Sequence, residues 1–278
     1  MSEQSPEIGL SIDTNGYLTN YHDVGSGDTV ILLHGSGAGV SAWANWRALI
    51  PVLSEKYRVV APDLVGFGYT DTPADFAFKF MDSWIDQVIT LMDALDIQKA
   101  HFVGNSFGGS TAMWLAATHP DRMERLVLMG PGGWSVDVNE NLDALWGYTP
   151  SVENMKRIMD IMAFDRTLVT DELAELRYHA TMRPGAQETF ERVFPEPRQR
   201  WLDAQVLSVE QLQGIEHETL IIHGRDDIVV VPEVSLNLHR HIRNSQLHMI
   251  GNCGHWTQIE HPRRFIQLVE NFIDESHI

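Results

Sequence analysis

Short apolar runs that do not alternate with polar residues punctuate the chain. Residues 29–34 (T-V-I-L-L-H), 57–61 (Y-R-V-V-A), 100–104 (A-H-F-V-G), 125–129 (R-L-V-L-M), 219–223 (T-L-I-I-H) and 246–250 (Q-L-H-M-I) are of this kind. A strand that is apolar at consecutive positions is one covered on both faces, as in a parallel sheet. The more polar Tyr17–Val24 predicts an antiparallel edge strand. Between these runs the period lengthens. Over 81–97, Trp84, Ile85, Val88, Leu91, Met92 and Leu95 fall on one helical stripe. Phe265, Leu268, Val269, Phe272 and Ile273 repeat it after the helix-starting pair His261-Pro262. Strands alternating with helices predict an α/β chain with a mostly parallel central sheet flanked by helices.

Residues 135–212 interrupt this rhythm. They hold no clear buried strand, many aromatics, and helical stretches at 153–162 and 170–182. They predict a helical lid inserted between two parts of one core, residues 1–134 and 213–278. No repeat or Pro/Gly/Ser-rich linker divides the chain further.

The 278 residues are 44% hydrophobic, enough for one substantial core. The formal net charge is −18, which disfavours nucleic acid and anionic membrane surfaces as partners. Cys253 is the single cysteine, so no intrachain disulfide forms. The first residues lack the basic and apolar regions of a signal peptide, and no apolar run reaches the length of a membrane span. The expectation is a soluble cytoplasmic protein.

The chemistry concentrates after three of the strands. Gly104-Asn105-Ser106-Phe107-Gly108 fits G-x-S-x-G, with Gly109 added, between a predicted strand and a predicted helix at 111–118. That context is the nucleophile elbow, in which a sharp turn exposes a serine and small neighbours let strand and helix approach. A serine hydroxyl needs a base to take its proton, and the base needs an acid to orient it. On such a frame they follow in the order serine, acid, histidine. His255 is the base by position, in the loop Gly251-Asn252-Cys253-Gly254-His255 after the last predicted strand. His34, His101, His223 and His248 lie in strands or at their ends and read as structural. The acid comes from Gly224-Arg225-Asp226-Asp227: the spacing favours Asp227, with Asp226 as the alternative. The alternative for the other aspartate is capping a turn or pairing with Arg225. Oxyanion donors fall to the backbone N–H of Phe107 and of Ser36, in the loop His34-Gly35-Ser36-Gly37. That loop lacks the lysine of a phosphate-binding loop, so nucleotide binding is not expected. Cys253 has no elbow and reads as a small packed residue.

Several segments resemble one family closely. H-G-S-G-A-G-V-S-A-W-A-N-W-R, A-P-D-L-V-G-F-G-Y-T-D, V-G-N-S-F-G-G and C-G-H-W-T-Q-I-E-H-P are similar to the meta-cleavage product hydrolases. These are bacterial C–C bond hydrolases of aromatic degradation, on the α/β-hydrolase fold. The lid segments L-W-G-Y-T-P, F-D-R-T-L-V-T-D-E-L-A-E-L-R-Y and F-P-E-P-R-Q-R-W share the resemblance, on the 2-hydroxymuconate-semialdehyde and alkylbenzene branch. One departure is I-V-V-V-P after Asp227, one residue longer than the family loop.

The resemblance implies a 2-hydroxy-6-oxohexa-2,4-dienoate substrate, no metal or organic cofactor, and a homo-oligomer. It implies that Arg177 holds the substrate carboxylate, as a guanidinium fork does, and that Asn45, Asn105 and Trp256 line the dienoate pocket. Gly132, with Gly133, is expected at the acyl end, where small residues leave room for a larger C6 substituent and Trp134 could refill it. Both an acyl-enzyme and direct attack by water giving a gem-diol fit these residues. The rivals are an ester or lactone hydrolase, which has no need of a dienoate clamp, and a non-catalytic ligand-binding protein, which has no need of a triad. A haloalkane dehalogenase would want a carboxylate at the elbow.

Overall fold

A computed structural model describes residues 5–275. Its centre is an eight-stranded sheet in the order β1 (Leu10–Thr14), β2 (Tyr17–Val24), β4 (Arg58–Pro62), β3 (Thr29–Leu33), β5 (Ala100–Asn105), β6 (Met123–Met129), β7 (Thr219–Gly224), β8 (Ser245–Ile250). From β4 onward every pairing is parallel. β2 is antiparallel to β4, as its polar pattern predicts, but it is not the edge, because β1 pairs outside it. The sequence L-S-I-D-T is too short and too exposed for periodicity to reveal that strand.

The consecutive apolar positions divide between two cores because side chains alternate across a strand. Ile31, Leu33, Val60 and Phe102 face one cluster, and Val30, Leu32, Val59, Ala61 and Val103 the other. The first cluster also holds Trp84 and Val88 of the helix Asp82–Ala94, and Ala112 and Met113 of the helix Phe107–Thr118. The second is closed by Phe265 and Val269 of Pro262–Asp274.

Between β6 and β7 the described chain contains helices and no strand, including Glu140–Trp146, Val152–Met162 and Asp171–Thr181. Their buried residues, among them Leu145, Trp146, Met155 and Met159, belong to the first cluster. The lid therefore shares its core with one sheet face and is not an independent unit. No helix among the described residues is long and apolar enough to cross a membrane.

Candidate active site

Register decides where the chemistry meets. Leu33 lies beside Gly104, Asn105 beside Met129, and Gly224 beside Ile250. The loops that follow β3, β5, β7 and β8 thus leave the sheet along one edge, at the carboxyl ends of parallel strands where such sheets place ligand sites.

At the elbow, Ser106 has φ 52° and ψ −114°, backbone that a side chain adopts only under restraint. Its N–H donates to Met129 O at 2.8 Å, which helps hold the turn. The glycines have steric reasons. A Cβ on Gly104 would lie 2.5 Å from Gly108 O, and one on Gly108 would lie 2.3 Å from Leu33 O. The helix starts at Phe107, earlier than the expected 111, with Gly108 and Gly109 inside its first turn. Propensity argues against that start, but only hydrogen atoms fit there.

His255 Nδ1 lies 2.6 Å from Asp227 Oδ2. The carboxylate only accepts, so Nδ1 carries the proton and Nε2 is left as the basic nitrogen. Asp227 Oδ1 accepts from the N–H of Val229 at 2.8 Å and of Val230 at 3.0 Å. Burial alone would raise the Asp227 carboxyl, but His255 and His223 outweigh it and hold it well below the usual carboxylate range. Asp226 does neither job. Its Oδ2 accepts from Asn252 N at 2.8 Å and pairs with Arg225 at 3.3 Å, bracing the loop that carries His255.

His223 goes beyond packing. Its Nε2 lies 2.9 Å from Val230 O and 3.2 Å from Asp227 Oδ2, while Nδ1 meets Ser235 Oγ at 2.6 Å. Two acceptors at Nε2 fix the proton there, so His223 donates towards the triad-type acid from below. Nothing in the strand pattern distinguishes this histidine from the others.

Ser106 and His255 line one cavity of about 120 Å³ together with Ser36, Asn45, Asn105, Arg177 and Trp256. Phe107 is the first residue of its helix, so its N–H has no intrahelical acceptor. Asn45 Oδ1 accepts from Gly35 N at 3.4 Å, bracing the loop of Ser36, and its Nδ2 is buried with no partner. Asn105 Nδ2 reaches Met129 O at 3.4 Å. Arg177, on the lid helix Asp171–Thr181, donates to Gly39 O and faces Glu7 Oε1 at 3.4 Å. Burial lowers its pKa from the ordinary arginine value and Glu7 works against that. The apolar wall comes from the lid: Leu145, Met155, Ile158, Met159 and Met162.

Arg47 and Gln258, which no sequence pattern marks as functional, line the same cavity. Both lie in the quoted motifs, where only the burial of Gln258 and the placement of Arg47 at the cavity separate them from surface residues.

Gly132 and Trp134 line a smaller cavity with Val136, Leu142 and Val229, and the N–H of Gly132 donates to Ser106 O at 3.4 Å, so this cavity adjoins the nucleophile's turn. A Cβ on Gly132 would lie 2.6 Å from Ser110 Oγ, and Trp134 stacks on His241 with ring centroids 5.1 Å apart. The Ser110–Gln205 hydrogen bond of 3.0 Å packs against Gly132, so the lack of a side chain there also serves packing. Cys253 is buried and burial pushes its thiol up to about 12, which leaves no thiolate at neutral pH. Among the described residues no group of three His, Cys, Asp or Glu side chains could hold a metal.

Comparisons with known proteins agree with this geometry. Residues 28–262 match the alpha/beta hydrolase fold family. The chain is 52% identical to a 2-hydroxymuconate semialdehyde hydrolase of Pseudomonas sp. (strain CF600), over 99% of this chain and 96% of that one. It is equally 52% identical to a 2-hydroxy-6-oxo-2,4-heptadienoate hydrolase of Pseudomonas putida, over 98% and 99%. A solved meta-cleavage product hydrolase from Pseudomonas fluorescens IP01, a mutant complexed with acetates, superposes with a TM-score of 0.96 at 57% identity, covering 98% of this chain and 99% of that one. The chain therefore belongs to the α/β-hydrolase family and, within it, to the meta-cleavage product hydrolases, enzymes that hydrolyse carbon–carbon bonds.

Proposed function

We propose that this enzyme hydrolyses the C5–C6 bond of 2-hydroxy-6-oxohexa-2,4-dienoates whose C6 substituent is hydrogen or a short alkyl group. One observation carries the reading: a single cavity is lined by the elbow serine, its histidine and a lid arginine. An anion entering a protein of net charge −18 needs such a local cation. Arg177 and Asn45 Nδ2 hold the C1 carboxylate, and the chain of the dienoate runs towards Ser106. Ketonisation moves the proton of the 2-hydroxyl to C5, with His255 as the carrier. The C6 carbonyl is then attacked by Ser106 or by water that Ser106 activates, and the N–H groups of Ser36 and Phe107 take the oxyanion. His255 accepts the nucleophile's proton, with Asp227 stabilising the imidazolium. The C5–C6 bond breaks with its electron pair delocalised into the dienolate oxygen, which gains a proton to give 2-hydroxypenta-2,4-dienoate. The other product is a carboxylic acid, formed directly where water attacks, and released by water from the acyl-Ser106 ester where the serine attacks.

The small substituent is supported by the two relatives at 52% identity, named for a semialdehyde and a heptadienoate. A relative named for a 6-phenyl substrate is 34% identical. The Arg177 assignment is tested with Arg177→Leu. For the dienoate, kcat/KM should fall roughly 100-fold, the scale of a lost charge-assisted hydrogen bond. For a neutral p-nitrophenyl ester it should change by less than about threefold. Equal losses on both substrates would remove the carboxylate role.

A further inference from the structure

Gln258 sits on the wall of the active-site cavity and is 1% exposed. It belongs to the short helix Thr257–Glu260 that immediately follows His255 and Trp256. Its amide has a defined orientation, because Nε2 donates to the backbone carbonyl of Asn45 at 3.3 Å. That carbonyl requires a donor, so the nitrogen must face it and Oε1 must face elsewhere. Oε1 is buried and has no hydrogen-bond partner. A buried amide acceptor without a partner is costly and rare in a folded protein, so a group that it serves should be sought.

The neighbouring Asn45 Nδ2 is unpartnered in the same way, its Oδ1 being taken by Gly35 N. Two residues that line one cavity thus carry a buried unpaired donor and a buried unpaired acceptor, and Arg177 lines the same cavity. A plain carboxylate brings acceptors only. It satisfies Asn45 Nδ2 and Arg177 but would set oxygen against oxygen at Gln258. A ligand carrying a hydroxyl beside its carboxylate brings the missing donor. We propose that Gln258 Oε1 accepts the 2-hydroxyl of the dienol substrate, so that the enzyme selects 2-hydroxy-2,4-dienoates over 2-deoxy carboxylates through this residue. The inference rests on the proposed C–C hydrolase reading and adds to it a discriminating contact at C2.

The test compares two inhibitors of dienoate turnover: freshly generated 2-hydroxypenta-2,4-dienoate, which has the hydroxyl, and penta-2,4-dienoate, which lacks it. Each is measured against the wild type and against Gln258→Met, which keeps the side-chain length and removes the acceptor. Gln258→Leu serves if the methionine variant folds poorly. The expected result is about a tenfold loss of affinity for the hydroxylated inhibitor, the scale of one buried hydrogen bond. The deoxy inhibitor should change by less than about twofold. A residue that only braces Asn45 would weaken both equally, and that outcome overturns the proposal while leaving the reaction standing. A wild type that bleaches no dienol would overturn the reaction reading and this inference with it.

Discussion

The sheet edge and the lid contribute to one cavity by different means. At the sheet edge, Ser106, Asp227 and His255 each lie within five residues of a strand end, so the hydrogen-bonded register of β5, β7 and β8 sets their positions. The lid supplies Arg177 and the apolar wall from helices that add no strand to the sheet. It touches the loops after β3, β7 and β8. Trp146 Nε1 donates to Ser36 Oγ at 2.9 Å in the oxyanion-type loop. Asn139 and Asn141 donate to the carbonyls of Val229 and Ile228 beside the acid, at 3.1 and 3.0 Å. Glu260 accepts from Phe164 N and Asp165 N in the lid, both at 2.9 Å, and from Gly254 N in the histidine loop at 2.8 Å. The difference separates two tasks: the sheet fixes the reacting groups, and the lid fixes the ligand and tightens the loops.

The largest expected effect lies at the edge. Asp227→Asn should lower kcat by roughly 10⁴-fold, because the amide presents the wrong hydrogen-bonding face to His255 Nδ1. Asp226→Asn, one residue away, should leave kcat within about fivefold, since it changes only a loop brace. Steady-state rates of the two variants make the comparison, and equal losses would break the assignment of the acid.

A second effect at the edge depends on pH. His34 is fully buried at the root of the oxyanion-type loop, with Leu64 N donating to its Nε2 at 2.9 Å. Burial lowers its pKa from 6.5 to about 4. The neutral ring is therefore favoured by folding, and the stability it confers is complete above about 6.5 and drains away as pH falls towards about 4. The loss amounts to about 3 kcal/mol. Asp63, buried with its pKa raised to about 6, slopes the opposite way. Urea unfolding of wild type and His34→Gln across this range isolates the histidine: the wild type should lose more stability on acidification than the variant.

The ties between lid and edge should have smaller effects. Glu260→Ala strands three N–H groups, and kcat should fall about tenfold with a loss of about 1–2 kcal/mol in stability. The bond of 2.8 Å from His255 N to Met162 O survives and limits the damage. Trp146→Phe keeps the stacking on Phe194, at 4.3 Å between centroids, and loses only the bond to Ser36. Its kcat should fall about threefold, consistent with one buried hydrogen bond of modest net value. If either lid variant matched Asp227→Asn, the division of tasks would collapse.

The same contrast explains what could be read from the sequence. The elbow and the histidine loop were legible because their constraints are local: Gly104 and Gly108 stand where backbone passes within van der Waals reach. The continuous apolar runs likewise forecast a sheet buried on both faces. Arg177 was legible only through resemblance, since a lone arginine on an amphipathic helix resembles any solvated residue. His223 and Gln258 were missed because their roles arise from contacts across the fold, Gln258 with Asn45 being 213 residues distant in sequence. The packing of Gly132 and Trp134 was illegible for the same reason: Gln205 and His241, which lie against them, are distant in sequence.

The most direct test of the account is product analysis with the yellow 2-hydroxymuconate semialdehyde, comparing wild type and Ser106→Ala. The wild type should bleach it and release one formate and one 2-hydroxypenta-2,4-dienoate per chromophore lost, while Ser106→Ala should be slower by roughly 10³-fold or more. Bleaching without formate, or bleaching that survives Ser106→Ala undiminished, would contradict serine-dependent cleavage of the carbon–carbon bond.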